Sequence, residues 1–90
     1  METLYEANLA CKISAAAHVR ALLLSTITRL PATLQSIHGE QNDTNEQAHI
    51  REAMTTAGRN NEAIEQVVMR LSMEDDVSNL SWSIAESAME

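Results

Sequence analysis

Apolar residues in the first half of the chain step by four and three: Leu9, Ile13, Ala16, then Arg20 as a polar intruder, then Leu23, Ile27, Leu30, Leu34 and Ile37. A seam of that period marks a helix that buries one stripe. It passes through Pro31 without losing phase. A proline inside a helix removes one ladder hydrogen bond and clashes with the preceding turn. The pattern therefore predicts one long first helix over about residues 3–37, kinked near Ile27 to Leu30. Such a helix would be about 50 Å long at 1.5 Å per residue. A fresh helix opening at Pro31 is disfavoured, because Leu30 would make a poor N-cap.

The stretch "GEQNDTNEQ" reads as a loop that ends in a helix start. Asp43 with Glu46, and Thr44 with Gln47, have the spacing of a capping box. A second helix over about residues 45–71 follows, with Ile50, Met54, Ala57, Ile64, Val68 and Leu71 on one face and Asn61 interrupting it. Gly58 before "RNNE" offers a break, but the seam crosses it in phase and one helix is the expectation. Ser72 with Asp75 repeats the capping spacing, and Glu74, Asp75 and Asp76 suit the positive end of a helix dipole. Val77, Leu80, Ile84 and Ala88 then form the stripe of a third helix over about residues 73–89. Ala, Leu and Met are abundant, and only two Gly and one Pro interrupt them. No alternating β-branched or aromatic run stands out. The predicted architecture is all-α: one domain over residues 1–90, an antiparallel helical hairpin or three-helix bundle.

One stretch strains that picture. In "AAAHVRALLLS", residues 15–25, Ala16 and Leu23 lie on the seam, Ala15, Val19 and Leu22 form a second row, and Ala17, Ala21 and Leu24 a third. A helix apolar all round needs cover on several sides. Helices 2 and 3 supply two, and helix 3 is only half as long as helix 1. The remaining apolar face is expected to meet another chain, a second copy in a homodimer or a different protein. Arg20 can lay its aliphatic stem over apolar surface while its guanidinium reaches a carboxylate. Trp82 lies off the stripe of its helix, and Met69 and Met73 are soft, adaptable side chains. The expected interface set is Val19, Arg20, Leu22, Leu23, Leu24, Ile27, Met69, Met73 and Trp82.

Charge narrows the function. The net charge is −7, with +1 in residues 1–38 and −8 in residues 39–90. Scattered arginines in an acidic chain make no phosphate-tracking stripe, so no nucleic-acid partner is expected. The start "METLYEANLA" lacks a basic signal-peptide region, and the longest apolar run falls short of a membrane span. A lone cysteine, Cys11, fits a reducing compartment, so the expected location is cytoplasmic. "EQAH" ending at His49 matches the Glu-x-x-His unit of di-iron bundles, but such sites need a second unit and two more glutamates. The first predicted helix has no carboxylate between Glu6 and Glu40. No metal, cofactor or catalytic residue is therefore expected. No nucleophile elbow surrounds any serine, and no phosphate-cradling loop exists with two glycines. The sequence reads as a small acidic non-enzymatic interaction module, an adaptor, chaperone or inhibitor that binds a partner protein through apolar helix faces. Its competitor is a self-assembling structural protein, with a metal-binding bundle third.

Overall fold

Tyr5, Ala7, Leu9 and Cys11 are buried while Asn8 and Lys12, between and after them, are exposed. That is the period of two of an extended chain. In the computed structural model, which describes residues 2–85, the segment is a strand, β1 (Glu2–Lys12). A short 3₁₀ turn (Ile13–Ala15) leads into α1 (Ala16–Ile27), and β2 (Ala32–Asn42) and β3 (Gln47–Ala57) follow. The described part closes with α2 (Asn61–Ser72) and β4 (Val77–Ile84). The four strands form one antiparallel sheet in the order β2-β3-β1-β4. This β-α-β-β-α-β sequence is the ferredoxin-like arrangement.

The all-α bundle is thus overturned, and each long predicted helix is divided. The seam from Leu9 to Ile37 runs through β1, α1 and β2 in turn. Pro31 does not kink a helix; it stands between α1 and β2. Residues before proline are pushed out of the helical region. The last turn of α1 closes through bonds from Thr28 N to Leu24 O (3.0 Å) and Leu30 N to Ile27 O (3.0 Å). The predicted second helix splits into β3 and α2 at Gly58, which takes φ 91°. The predicted third helix is β4 over Val77–Ile84, and residues 86–89 of that expectation lie outside the described residues. Asp43 to Glu46 cap nothing. They form the β2–β3 turn, where Asn42 Oδ1 accepts from Thr44 N (3.0 Å) and Asn45 Oδ1 from Gln47 N (3.2 Å). Glu74 to Asp76 likewise make the turn into β4.

One face of the sheet carries Tyr5, Ala7, Leu9 and Cys11 from β1 and Ala48, Ile50 and Met54 from β3, and both helices pack on it. From α1, Ala16, Val19, Leu23 and Ile27 are buried; from α2, Ala63, Ile64, Val67 and Leu71. Asn60 caps α2, its side chain accepting from Ala63 N at 3.2 Å. Tyr5 ties that cap to the sheet. Its hydroxyl donates to Asn61 Oδ1 (2.9 Å) and accepts from Asn60 N (2.7 Å).

The buried Tyr5 hydroxyl joins the sheet to the start of α2, so its removal tests that joint. Tyr5→Phe leaves the Asn60 amide without its acceptor and is expected to cost about 1–3 kcal/mol. Urea unfolding measures this; an unchanged midpoint would show that the bond contributes nothing.

Candidate protein interface

Two helices lying side by side on a sheet bury their lower faces and leave a furrow between their upper ones. Here the furrow is about 750 Å³ in volume. Leu22, Thr26 and Arg29 line one wall, from α1 and the turn after it, and Glu65, Met69 and Met73 the other, from α2 and its end. Met69 and Met73 are 62% and 68% exposed, the largest exposures among the big apolar side chains. The reason is local. The buried stripe of α2 runs Ala63, Ile64, Val67 and Leu71, and Met69 falls outside it. Thr26 bonds back to the Leu22 carbonyl (2.7 Å), which satisfies its hydroxyl within α1.

Charges edge the furrow in both signs. Glu62 and Glu65 stand on the α2 side, and Arg29 and Arg70 complete the rim. Arg70 reaches Glu74 at 3.7 Å, one helical turn on. Glu74 also meets His18 at 3.1 Å, linking the start of α1 to the end of α2. Both contacts are solvent-exposed in part and hold position more than they add stability.

The expected interface residues scatter to several places. Leu22, Met69 and Met73 come together in the furrow. Val19, Leu23 and Ile27 are at most 1% exposed, inside the core, so they offer nothing to a partner. The sheet supplies the cover that the sequence reading sought from a second chain. Leu24 is 45% exposed and, with Arg20 one turn before it, lies on the flank of α1 away from the furrow. Arg20 extends over β2, its guanidinium 3.5 Å from where a Cβ on Gly39 would stand. Trp82 sits on β4, part-buried, tilted against Tyr5 with ring centroids 5.9 Å apart.

The opposite sheet face is open to water and polar. A shallow recess of about 740 Å³ lies there, lined among others by Asn8, His38, Glu40, His49, Arg51 and Asn79. His49 is opposite Glu40 and Arg51 opposite His38 across the β2–β3 pair. Among the described residues no three His, Cys, Asp or Glu side chains come close enough to hold a metal ion. Cys11 is fully buried; burial pushes its thiol pKa up, the Asp76 charge adds to this and Arg20 opposes it. A thiol so placed is a poor nucleophile.

One functional-grade residue escaped the sequence reading. Glu52 is 1% exposed, and neither carboxylate oxygen has a hydrogen-bond partner. Burial pushes its carboxyl pKa up to about 7. The signal was present as a lone acid in the even-numbered series Ala48, Ile50, Met54, Thr56.

The fold and its surfaces permit comparison. The model of the MGTC/SAPB C-terminal domain matches residues 5–82, nearly the whole described chain. The chain belongs to that family. Among solved structures, the C-terminal domain of the MgtC protein from Mycobacterium tuberculosis aligns with a TM-score of 0.83 at 21% identity, covering 97% of this chain and 92% of that one. An uncharacterized protein from Thermotoga maritima aligns at 0.74 and 15% identity, over 96% and 100% of the two chains. The ACT domain from the GTP pyrophosphokinase of Chlorobium tepidum aligns at 0.68 and 8% identity, over 92% and 100%. Identities this low establish a shared fold and nothing about shared ligands. A comparison with curated proteins found no match. No helix among the described residues of this MGTC/SAPB C-terminal domain is long and apolar enough to cross a membrane.

The division between core and furrow residues is measurable. Leu23→Ala should cost about 2–5 kcal/mol, as a cavity in a packed core does. Met69→Ala, at the exposed furrow, should stay within about 0.5 kcal/mol. Thermal unfolding of the two variants gives the comparison, and equal costs would contradict the placement.

Proposed function

We propose that this MGTC/SAPB C-terminal domain is a non-catalytic interaction module that docks a partner protein in the furrow between α1 and α2. The observation that carries the reading is the pair Met69 and Met73, exposed beside Leu22 in a concave site. Flexible thioether side chains suit a surface that accommodates an apolar helix. Charge favours a foreign partner over a second copy. Two chains that each carry −7 repel one another as wholes, although each rim holds Arg29 and Arg70 beside Glu62 and Glu65. A partner helix with an apolar stripe and basic flanks meets no such repulsion. The M. tuberculosis relative is the C-terminal domain of a protein, which fits a module that acts on a neighbour. A free buried Cys11 suits a reducing compartment, and we place the module in the cytoplasm.

A photo-crosslinking residue in place of Met69, introduced in the producing cells, tests the proposal. The expected product is an adduct with one different protein. Met73→Asp should weaken that association tenfold or more, about 1.4 kcal/mol, while circular dichroism stays unchanged. An adduct at twice the mass of this chain would replace the reading with a homodimer. No adduct at all would end it.

A further inference from the structure

We propose that the proton on Glu52 controls how firmly α1 and the edge strand β2 stay closed over the sheet. The inference stands apart from the docking reading and needs no partner.

Glu52 occupies the middle of β3, opposite Ala7 on β1 and Ile37 on β2. Its position in the alternation puts it on the helix-covered face, with Ile50 and Met54 on either side along the strand. A carboxylate there has lost its water and gained no donor, since both oxygens are buried and unpartnered. The neutral acid tolerates this site far better than the anion does.

No charge from the surrounding elements compensates. On the same face β1 presents Tyr5 and Cys11, both two strand positions or fewer from Ala7 or Leu9, and neither is a cation at any accessible pH. The phenol is already engaged with Asn60 and Asn61. β2 presents Leu34, Ile37 and Gly39 there; α2 presents Ala63, Ile64, Val67 and Leu71; β4 presents Val77, Leu80, Trp82 and Ile84. Along β3 itself Thr56 is polar but gives its hydroxyl hydrogen to the Gly58 carbonyl. From α1 the buried residues are apolar, and Arg20 is exposed, its guanidinium over Gly39; Arg51, next in the chain, is exposed on the other face of the sheet.

The route to water follows from the topology. β1 is an interior strand and Ala7 is 2% exposed, whereas β2 is an edge and Ile37 is only part-buried. α1 lies chiefly over β2 and also over β1 and β3, while α2 lies over β4. An ionised Glu52 therefore reaches water, and Arg20, by parting α1 from β2. The reaction is a simple proton loss: the carboxyl gives its proton to solvent and the anion becomes hydrated. α1 also carries one wall of the furrow, so this parting alters the shape of that site.

The sign follows from the raised value. A carboxyl pushed up to about 7 when closed, against 4.5 when exposed, favours the closed form fully below pH 4.5. That preference is lost as pH rises through 7, by about tenfold per unit, and levels off beyond it.

Amide hydrogen exchange by NMR on the full chain, corrected for the intrinsic pH dependence, reads the opening. Between pH 5 and 8, protection of α1 amides should fall roughly 50- to 100-fold, while α2 amides keep theirs. Glu52→Gln should flatten the α1 response. Equal loss in α1 and α2, or an unchanged response in Glu52→Gln, would overturn the proposal. If that variant does not fold, carbon NMR of the wild-type Glu52 carboxyl decides. A midpoint close to 7 shared with the α1 exchange supports the proposal; a midpoint in the ordinary carboxylate range overturns it.

Discussion

The central pair of strands, β1 and β3, must be covered on one face, and the rest of the molecule is organised by that need. Their eleven-residue antiparallel register brings Tyr5, Leu9 and Cys11 beside Met54, Ile50 and Ala48. An antiparallel sheet tolerates water on one face but not on an apolar one. Two amphipathic helices supply the cover, and each is placed by the chain's alternation of strand and helix. The strands β2 and β4 then extend the platform to either side. Small residues at Ala7 and Ala48 let the helices settle close to the sheet.

Seen from that platform, the apolar excess of residues 15–25 is ordinary. Val19 and Leu23 face the sheet, Leu22 faces the furrow toward α2, and Leu24 is the one large apolar side chain of the stretch left substantially in water, with the small Ala17 and Ala21. A helix on a sheet contacts a broad surface, wider than the strip a second helix offers. The large apolar side chains left exposed among the described residues are Leu24, Met69 and Met73. Glu52 is the exception within the core. Its polar head sits where every neighbour is apolar, an arrangement that costs stability when ionised and is retained in this chain without a partner to offset it.

The misreading of the fold has a definable physical origin. A spacing of four residues satisfies both a helix turn and a strand face, because four is even; Ile50 and Met54 fit either. A spacing of three fits only a helix, unless a bulge adds a residue. Two bulges do so here. The register shift between Leu34 and Ser36 brings Leu34 and Ile37 to the same face of β2. The irregularity at Asn79, with φ 52°, does the same for Val77 and Leu80 on β4. Each bulge made a strand imitate the helical period. Alanine added to the confusion, since it favours helices intrinsically and yet fills the helix-covered strand face at Ala7 and Ala48. Tyr5, Ala7, Leu9 and Cys11 do alternate with Glu6 and Asn8, but the run holds no β-branched residue to mark it as a strand, and the seam ran across it.

Taken alone, the amino-acid sequence determined which residues are apolar and the acidic balance of the second half; it also held Pro31 and Gly58, although the seam running past both hid that the chain breaks there. Those are local properties, set by side-chain chemistry and backbone sterics. It also pointed to Met69 and Met73 as interface candidates, on the softness of their side chains alone. Tertiary structure alone decided that segments with a helical period are strands, since strand pairing joins residues some forty positions apart and rewards nothing locally. It alone decided that Leu22 and the two methionines share one furrow, and that Glu52 is sealed from water. Burial is a property of the assembled chain, and no window of neighbouring residues contains it.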